Sequence, residues 1–362
     1  MNSSFWQDKR VFITGHTGFK GSWLCLLLNS FGARVAGFAL EAPTQPNLFA
    51  LARVGELVES TRGDVRHLDA LADCMHSFAP DVVFHLAAQS VVLAAYEAPV
   101  DTYSTNVMGT VNTLEAVRRL RHPCIVVNVT TDKCYENKGW VWGYRESDTL
   151  GGRDPYSSSK ACAELVGQCY RDAFFPLSRF AEHGIAMASA RAGNVVGGGD
   201  WTSRQLIPET IAAFLRSQPV VLRHPQAVRP WQHVLDCLSG YLRLAEALAQ
   251  DAATSVGGWN FGPADADPRT VSQVVEALAS HWGIKRPWVL DTAAHAPEEA
   301  QLRLDASKAA SLLGWGCRLS TDEALQSVAA WYRGHHGGAE ARSLCREQIA
   351  DFLARPSGPE RR

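Results

Sequence analysis

Apolar runs alternate with segments of helical periodicity along the first half of the chain. Runs of apolar and β-branched residues predict strands at 10–14, 33–40, 81–87 and 125–129. Apolar residues spaced three and four apart predict helices at 20–31, 106–120 and 155–175. Near-continuous apolar strands separated by helices indicate a parallel sheet covered on both faces, so we predict an α/β fold.

Composition and charge narrow the functional classes. With 362 residues, of which 46% are hydrophobic, the chain can bury a large core in two domains or in one large α/β domain. A net charge of −2 argues against a nucleic-acid or anionic-membrane partner. No apolar run approaches the ~20 residues that span a bilayer, and the N-terminus lacks an apolar signal segment. We therefore expect a cytoplasmic protein.

The cysteines and histidines indicate neither disulfides nor a metal site. The 9 cysteines are odd in number and include no Cys-x-x-Cys pair, which favours reduced thiols in a cytoplasm. The 12 histidines include no cluster with metal-ligand spacing, so we predict no metal.

A glycine-rich turn follows the first predicted strand and leads into a helix. Gly15, Gly18 and Gly21 have the spacing G-x-x-G-x-x-G, a relative of the Rossmann fingerprint. Small residues let the backbone turn tightly and approach a pyrophosphate at the helix N-terminus. We predict a Rossmann-type doubly wound sheet that binds a dinucleotide. A plain left-handed turn before a helix is the alternative reading.

Two acidic residues are candidates for the adenosine half of that dinucleotide. Glu41 lies 20 residues after Gly21, at the distance expected of a ribose-binding carboxylate. No arginine stands beside Glu41 in the sequence to bind a 2′-phosphate, which favours NAD over NADP. Asp64 follows the third strand and is a candidate for the adenine amino group. His16 and Lys20 are unusual so close to phosphates. Lys20 could pair with the pyrophosphate, or it could crowd the approach and oppose the helix dipole, and we expect the cofactor to be held loosely.

Tyr156 and Lys160 are spaced to share one helix face. Asp154 and Pro155 before them predict a helix start, with Asp154 as the N-cap. A nearby cation favours the phenolate and so lowers the pKa of a tyrosine. The pair is typical of alcohol–ketone proton transfer, and an amphipathic helix with an exposed lysine is the alternative.

A hydroxyl, an acid and an amine occur in sequence at the end of the strand at 125–129. These residues are Thr131, Asp132 and Lys133. Catalytic groups of open α/β sheets lie at the carboxyl ends of strands, so we place all three at the site.

Motifs spread along the chain resemble those of the extended short-chain dehydrogenase/reductases that act on nucleotide sugars, and among them the CDP-glucose 4,6-dehydratases. The motifs are GHTGFKGSWL from Gly15, HLAAQ from His85, TNVMGTV from Thr105, TTDKCYEN from Thr130, WVWGYRESDTLGGRDPYSSSK ending at Lys160, RAGNVVGGGDW from Arg191, RPWQHV from Arg229 and WNFGP from Trp259. The Asp-Lys pair is the most specific, because the dTDP-glucose relatives carry Asp-Glu there.

The resemblance implies an NAD-dependent lyase that acts on a CDP-hexose. Tyr156 would remove the 4-OH proton while hydride passes from C4 to NAD, with Thr131 bonding that hydroxyl and Lys160 anchoring the nicotinamide ribose. Asp132 would protonate the departing C6 hydroxyl. Lys133 would act either as the base at C5 or as electrostatic support for the enolate, because an ordinary lysine is protonated at neutral pH. The product would feed deoxysugar and lipopolysaccharide O-antigen biosynthesis.

The resemblance also implies two sets of binding residues. For the cofactor these are Gly15, His16, Gly18, Phe19, Lys20, Gly21, Glu41, Asp64, Val65, Leu86, Ala87, Ala88, Gln89, Asn106, Tyr156 and Lys160. For the substrate they are Tyr96, Thr131, Asn194, Trp201, Arg204, Arg229 and His233. A core tryptophan is the alternative for Trp201.

The chain departs from the family pattern at two positions, where Leu93 and Gln205 replace arginines. Fewer cations near a diphosphate put the identity of the sugar or nucleotide in doubt more than the reaction class, and Arg204 is the candidate to compensate. A 4-epimerase, a 4-ketoreductase or a dehydratase of another nucleotide sugar is the alternative enzyme. A catalytically silent NAD-binding sensor is the alternative from another class.

The resemblance implies two domains and self-association. We expect a dinucleotide-binding domain from residues 1–192 and 233–262 and a smaller mixed α/β substrate-binding domain from 193–232 and 263–353, followed by a frayed tail at 354–362. Relatives pair through two long helices, so a homodimer is expected, with a homotetramer as the alternative.

Overall fold

A parallel sheet of seven strands forms the centre of the molecule, in the order β11-β6-β5-β4-β1-β2-β3. The computed structural model describes residues 1–263, 269–293 and 301–356. The strands are β1 (Arg10–Thr14), β2 (Arg34–Ala39), β3 (Glu59–Arg62), β4 (Val82–His85), β5 (Cys124–Val129), β6 (Ile185–Ala192), β7 (Asn194–Val196), β8 (Val220–Leu222), β9 (Val228–Arg229), β10 (Trp231–His233), β11 (Gly257–Phe261), β12 (Arg269–Thr270) and β13 (Trp288–Leu290).

Helices connect these strands and cover both faces of the sheet. They are α1 (Ser3–Trp6), α2 (Phe19–Ser30), α3 (Leu48–Leu51), α4 (Leu68–Phe78), α5 (Val92–Glu97), α6 (Pro99–Tyr103), α7 (Gly109–Arg118), α8 (Pro155–Ala173), α9 (Phe180–His183), α10 (Leu206–Leu215), α11 (Val234–Gln250), α12 (Ala252–Ser255), α13 (Val271–Trp282), α14 (Ser307–Leu313), α15 (Thr321–His336) and α16 (Ala341–Ala354). The order of the first six strands is that of a doubly wound dinucleotide-binding sheet, which confirms the predicted fold class.

Alternate residues of the central strand β1 belong to different cores. Val11 and Ile13 pack into a cluster that includes residues of α2 and α11. Phe12 between them packs into a second cluster with residues of α4 and α7. Because successive side chains of a strand point to opposite faces, both faces of β1 must be apolar, and its burial is complete at all three positions.

The direction in which strands are added to the sheet reverses at β1. The strands β2 and β3 extend the sheet on one side of β1, and β4, β5 and β6 extend it on the other. β1 pairs in parallel with β2 on one side and with β4 on the other. The crossover helices from these strands leave on opposite faces, so a crevice opens at the carboxyl ends of β1 and β4. This is where the functional site is expected.

Three small two-stranded sheets stand beside the central one. β7 pairs with β10, β8 with β13, and β9 with β12. β7 follows directly after β6, and β10 leads directly into α11. The segment between β6 and α11 therefore leaves the central sheet and returns to its neighbourhood.

The predicted elements agree with the observed ones to within a few residues. β1 spans Arg10–Thr14, and α8 begins at Pro155, with the Asp154 carboxylate accepting the hydrogen bond of Ser157 N–H at 2.9 Å. The helix predicted at 106–120 differs, since a π-helical turn over Ser104–Met108 precedes α7. Of the predicted frayed tail, residues 357–362 lie outside the described residues.

None of the helices in the described ranges is long and apolar enough to cross a membrane. Within the same ranges, no group of three or more His, Cys, Asp or Glu is arranged to hold a metal ion. The 9 cysteines are all free thiols.

Candidate active site

A cavity of about 830 Å³ lies along the carboxyl edge of the sheet. It extends from the glycine loop after β1, past the ends of β4 and β5, to the segment after β6. Most of the predicted site residues line it, and these are Gly15, Gly18, Phe19, Lys20, Gly21, Glu41, Asp64, Val65, Leu86, Ala87, Ala88, Gln89, Tyr96, Thr131, Asp132, Lys133, Tyr156, Lys160, Asn194, Arg204 and Arg229.

Four predicted residues are not part of that lining. His16 is fully buried beneath the glycine loop, where its Nε2 lies 2.7 Å from Ser60 Oγ, and burial lowers its pKa to about 4. Asn106 is buried as well and exchanges hydrogen bonds with the backbone of Gln89, at 2.8 and 3.0 Å. Both side chains support the walls of the cavity from behind, so neither is placed to contact a cofactor directly, contrary to the expectation from sequence.

The other two, Trp201 and His233, belong to the packing of the substrate side. The Trp201 ring lies 5.6 Å from that of Trp331 and 5.7 Å from that of Tyr332. The His233 Nδ1 accepts a hydrogen bond from Leu235 N–H at 3.3 Å and so caps α11, and burial lowers its pKa to about 3. Neither contacts the cavity, and the core reading of Trp201 is the one the packing favours.

The glycine loop is too tightly packed for larger residues. Gly15 has φ +79, and a Cβ there would lie 2.7 Å from Ala87 N. A Cβ on Gly21 would lie 2.2 Å from the Gly15 carbonyl oxygen. Gly18 is the N-cap of α2, and no side chain caps that helix. The first turn of α2 thus presents its backbone to the cavity, as an anion-binding helix N-terminus requires.

An arginine pairs with Glu41 in space, although none stands beside Glu41 in the sequence. Arg62, the last residue of β3, donates from Nε to Glu41 Oε1 at 2.7 Å. The strand after β2 supplies this guanidinium, so it is near Glu41 in space although 21 residues away in the chain. Asp64 is also paired, because Arg66 donates to its Oδ2 at 2.6 and 2.9 Å and lowers its pKa.

Tyr156 and Lys160 lie on the inner face of α8, at the middle of the cavity. The Lys160 ammonium donates to the Val129 carbonyl at 3.1 Å, which ties α8 to the end of β5. Burial, aided by the charge of Lys20, lowers the pKa of Lys160 to about 8. Lys20 lies deep in the same region, with its Nζ 6.0 Å from the Tyr241 ring centroid.

The pKa of Tyr156 is set chiefly by burial. Burial raises this pKa above its ordinary value, and a hydrogen bond with Thr131 acts in the opposite direction. Lys160 therefore does not by itself bring the phenol to neutrality. Lowering a phenol from ~10 to near 7 takes roughly 4 kcal/mol of differential stabilisation.

A single turn after β5 carries the acid and the amine. Thr131 donates from Oγ1 to Asp132 Oδ1 at 3.0 Å and accepts from Lys133 N–H at 3.3 Å. Asp132 is 2% exposed, although it lines the cavity. The three side chains therefore stand on one wall, facing the same space as Tyr156.

A buried ion pair supports this wall from behind. Arg191 at the end of β6 donates from Nη2 to Glu164 Oε2 at 2.9 Å, and the other oxygen of Glu164 accepts from Thr130. Arg191 also donates to the Tyr135 hydroxyl at 2.8 Å. The network connects β5, β6 and α8, so it holds Thr131 and Lys160 in a fixed relation.

The substrate end of the cavity carries several positive groups. Arg229, 5% exposed, lines it together with Arg204. Arg204 has φ +63 and donates to Glu97 Oε1 at 2.7 Å. Leu93 and Gln205, which replace the usual arginines, line the cavity too.

Sequence reasoning missed further lining residues at this end. Glu209, Arg223 and His224 line the cavity from α10 and the turn after β8. The strand β8 has only three residues, and it pairs with the distant strand β13. No local sequence pattern therefore predicted that these residues line the cavity.

Comparison with known proteins agrees with this arrangement. A family model described as GDP-mannose 4,6 dehydratase matches residues 12–328. The CDP-glucose 4,6-dehydratase of Salmonella typhimurium is 47% identical over 354 residues, which cover 98% of this chain and 99% of that protein.

Two solved structures share the fold. The UDP-glucose 4-epimerase of Thermus thermophilus in complex with NAD has a TM-score of 0.76 at 24% identity, covering 90% of this chain and 99% of that one. The dTDP-glucose 4,6-dehydratase of Bacillus anthracis in complex with NAD has a TM-score of 0.75 at 23% identity, covering 92% of this chain and 99% of that one. The resemblance inferred from the motifs is confirmed, and the chain belongs to the GDP-mannose 4,6 dehydratase family.

Proposed function

We propose that this chain is an NAD-dependent 4,6-dehydratase that converts CDP-D-glucose to CDP-4-dehydro-6-deoxy-D-glucose and water. The observation that carries the proposal is the single cavity wall formed by Thr131, Asp132, Lys133, Tyr156 and Lys160. A proton-transferring Tyr–Lys pair serves any oxidation at C4. Asp132, the acid beside this pair, is needed only where water is expelled. A dehydratase is also favoured by the 47% identity to the CDP-glucose 4,6-dehydratase of Salmonella typhimurium.

The residues of the glycine loop fit a dinucleotide. A Cβ on Gly15 or Gly21 would collide with neighbouring backbone, and the uncapped first turn of α2 opens into the cavity. Gly15, Gly18 and Gly21 would hold the pyrophosphate, Glu41 the ribose, and Lys160 the nicotinamide ribose. When bound, NAD supplies a ring that takes up hydride from C4 of the sugar and returns it at C6, so no net oxidation occurs.

Tyr156 accepts the proton of the sugar 4-hydroxyl. Its buried phenol has a raised pKa, so the positive charges around it must act together to favour the phenolate. Lys160 supplies one of these charges, and the oxidised ring brings another. Thr131 bonds both the phenol and Asp132, and so it orients the hydroxyl that reacts.

Asp132 donates a proton to the departing C6 hydroxyl. The ketone formed at C4 by hydride transfer acidifies the C5 hydrogen, which leaves as a proton when the C6–O bond breaks. C5 regains a proton when hydride reaches C6. Lys133 either takes the departing C5 proton or stabilises the enolate oxygen with its charge while another group takes the proton. Both roles need the amine at the cavity wall, where Lys133 lies.

Tyr96, Asn194, Arg204 and Arg229 would hold the sugar and the diphosphate, since a planar guanidinium suits two phosphate oxygens. We assign residues 1–192 and 233–262 to the dinucleotide-binding domain. Residues 193–232 and 263–353 form the substrate-binding domain in this assignment, and 264–268 and 294–300 lie outside the described residues.

The cellular setting follows from the same proposal. We place the enzyme in the cytoplasm, in deoxysugar biosynthesis that supplies lipopolysaccharide O-antigen. We also propose a homodimer, because large apolar side chains are exposed on α6 and α8, among them Val100 at 81% and Leu165 at 54%.

The test is a panel of CDP-, dTDP-, GDP- and UDP-glucose with NAD, analysed by mass spectrometry. We expect a product lighter by one water from CDP-glucose. An isomer of unchanged mass would identify a 4-epimerase instead, and loss of water only from another nucleotide would reassign the substrate. No conversion of any sugar would favour a silent dinucleotide-binding protein.

A further inference from the structure

We propose that Arg62 allows the adenosine end of the cavity to accept a 2′-phosphate, so that this chain binds NADP as well as NAD. The inference rests on the proposed dinucleotide site and extends it to a second cofactor. A carboxylate at the end of the second strand normally selects NAD by bonding the ribose hydroxyls and repelling a phosphate. Here the carboxylate does not stand alone.

Arg62 is bonded to a residue of the cavity lining. It donates from Nε to Glu41 Oε1 at 2.7 Å, and Glu41 lines the cavity. The next residue in the chain, Gly63, lines the cavity as well. A guanidinium therefore stands next to the carboxylate that is proposed to bind the ribose.

The arginine is held more firmly than its partner. Its guanidinium carbon lies 5.0 Å from the centroid of the Phe49 ring, so the ring face supports it independently of Glu41. The Glu41 side chain is 79% exposed, against 39% for Arg62. Glu41 can therefore turn into solvent while Arg62 stays at the rim.

The balance of interactions favours an exchange of partners. Exposed ion pairs contribute little to stability, so releasing Glu41 costs little. An arginine–phosphate contact is charge-assisted and can be bidentate, which makes it the stronger of the two. The neighbouring acid, Asp64, is already paired with Arg66 and adds little repulsion.

The arrangement accommodates NAD without such an exchange. With a free 2′-hydroxyl, Glu41 can accept from the ribose while it remains bonded to Arg62, because a carboxylate has two oxygens. The same two side chains thus serve both dinucleotides, with Arg62 as the residue that decides the affinity for NADP.

The test is calorimetric titration of the full-length protein. The protein is first stripped of nucleotide and is then titrated with NAD and, separately, with NADP. We expect the Kd for NADP to lie within about tenfold of that for NAD. Arg62→Ala should raise the Kd for NADP at least ~10-fold, the loss expected of a charge-assisted bond, with a much smaller effect on NAD. Glu41→Gln should tighten NADP binding.

The matched control is Arg10→Ala. Arg10 is also 39% exposed and paired with an aspartate, but it lies at the amino end of β1, away from the cavity. It should leave both affinities unchanged. Arg62→Lys, which keeps the charge and loses the planar fork, should fall between Arg62→Ala and the wild type for NADP.

Two results would overturn the inference while leaving the proposed function intact. One is an NADP affinity more than ~100-fold weaker than that for NAD, and the other is an equal loss of both affinities in Arg62→Ala. If neither dinucleotide binds, the proposed function fails as well. Binding is measured without substrate, so the outcome does not depend on turnover.

Discussion

Glu164 follows Lys160 by one helical turn, and its carboxylate is held by the Arg191 guanidinium at 2.9 Å, with both side chains at most 6% exposed. A buried ion pair contributes little net stability compared with a well-packed apolar pair. Removing one partner is different, because the other charge is left buried without compensation.

We therefore predict that Arg191→Met destabilises the protein by about 3–5 kcal/mol. The measurement is urea unfolding of the purified variant. The control, Arg179→Met, breaks an exposed pair with Glu182 and should cost at most ~1 kcal/mol. Equal losses in the two variants would show that Glu164 does not need its partner.

Tyr156→Phe should lower kcat by about 10²–10⁴-fold, the range of a lost general base. Substrate affinity should change little, because the ring still fills its buried place in α8. Steady-state kinetics together with nucleotide-sugar titration measure the two effects. Tyr170→Phe, which alters a phenol farther along α8, should retain full activity, and a matching loss there would argue against a special role of Tyr156.

Lys133→Met should slow exchange of the C5 hydrogen with deuterated water, because the variant has neither a base nor a charge at that wall of the cavity. Lys133→Arg separates the two roles, since arginine keeps its proton. Exchange near the wild-type rate in the arginine variant identifies electrostatic support, whereas a loss of about 10²–10⁴-fold identifies the base. Wild-type exchange in the methionine variant would exclude both.

Gly21→Ala should weaken dinucleotide binding and destabilise the protein by about 1–3 kcal/mol, the usual cost of overpacking. The added Cβ would lie 2.2 Å from the Gly15 carbonyl oxygen, so the loop must move. Calorimetric titration and urea unfolding measure the two effects. In the control, Gly151→Ala, the nearest atom is 3.4 Å away, and both quantities should stay near wild type.

Asp236→Asn should stabilise the protein above neutral pH and lose this advantage in acid. Burial raises the pKa of Asp236 from its ordinary 3.8 to about 7. Because the folded state binds the extra proton between those values, stability declines as the pH rises through that window, by up to ~1.4 kcal/mol per pH unit. The asparagine variant lacks this decline.

Urea unfolding at about pH 5 and about pH 8 tests the sign of that prediction. The advantage of the asparagine variant should be larger at pH 8 than at pH 5. An advantage that is constant with pH would mean that Asp236 does not titrate in this window.

The sequence predicts the strands and helices of the central sheet because their signals are local. β1 is a short apolar run, and α8 has both its cap and its proline in the chain immediately before it. The small strands β7 and β10 carry no such signal. Each spans three residues, and their pairing joins Asn194 to Trp231 across a long connection.

The site was predictable to the extent that motifs mark strand ends. Thr131 and Asp132 come from such a motif, Tyr156 comes from the helix-start motif of α8, and all three line one cavity. Side-chain direction was not predictable, and His16 is the example, because it follows Gly15 in the loop yet lies buried against Ser60. The ion pair of Arg204 with Glu97 joins residues 107 apart, which only the tertiary fold brings together.

The pairing of β7 with β10 has an evolutionary consequence. Trp231 lies opposite Asn194, so the chain that departs after one strand comes back beside it. The segment between these two positions begins and ends side by side, and its helix α10 packs into the same core as the central sheet. The proposed substrate-binding residues Arg204 and Arg229 lie in this segment, whereas the reacting residues lie outside it, so evolution can change the nucleotide that is recognised without replacing the groups that handle protons and hydride.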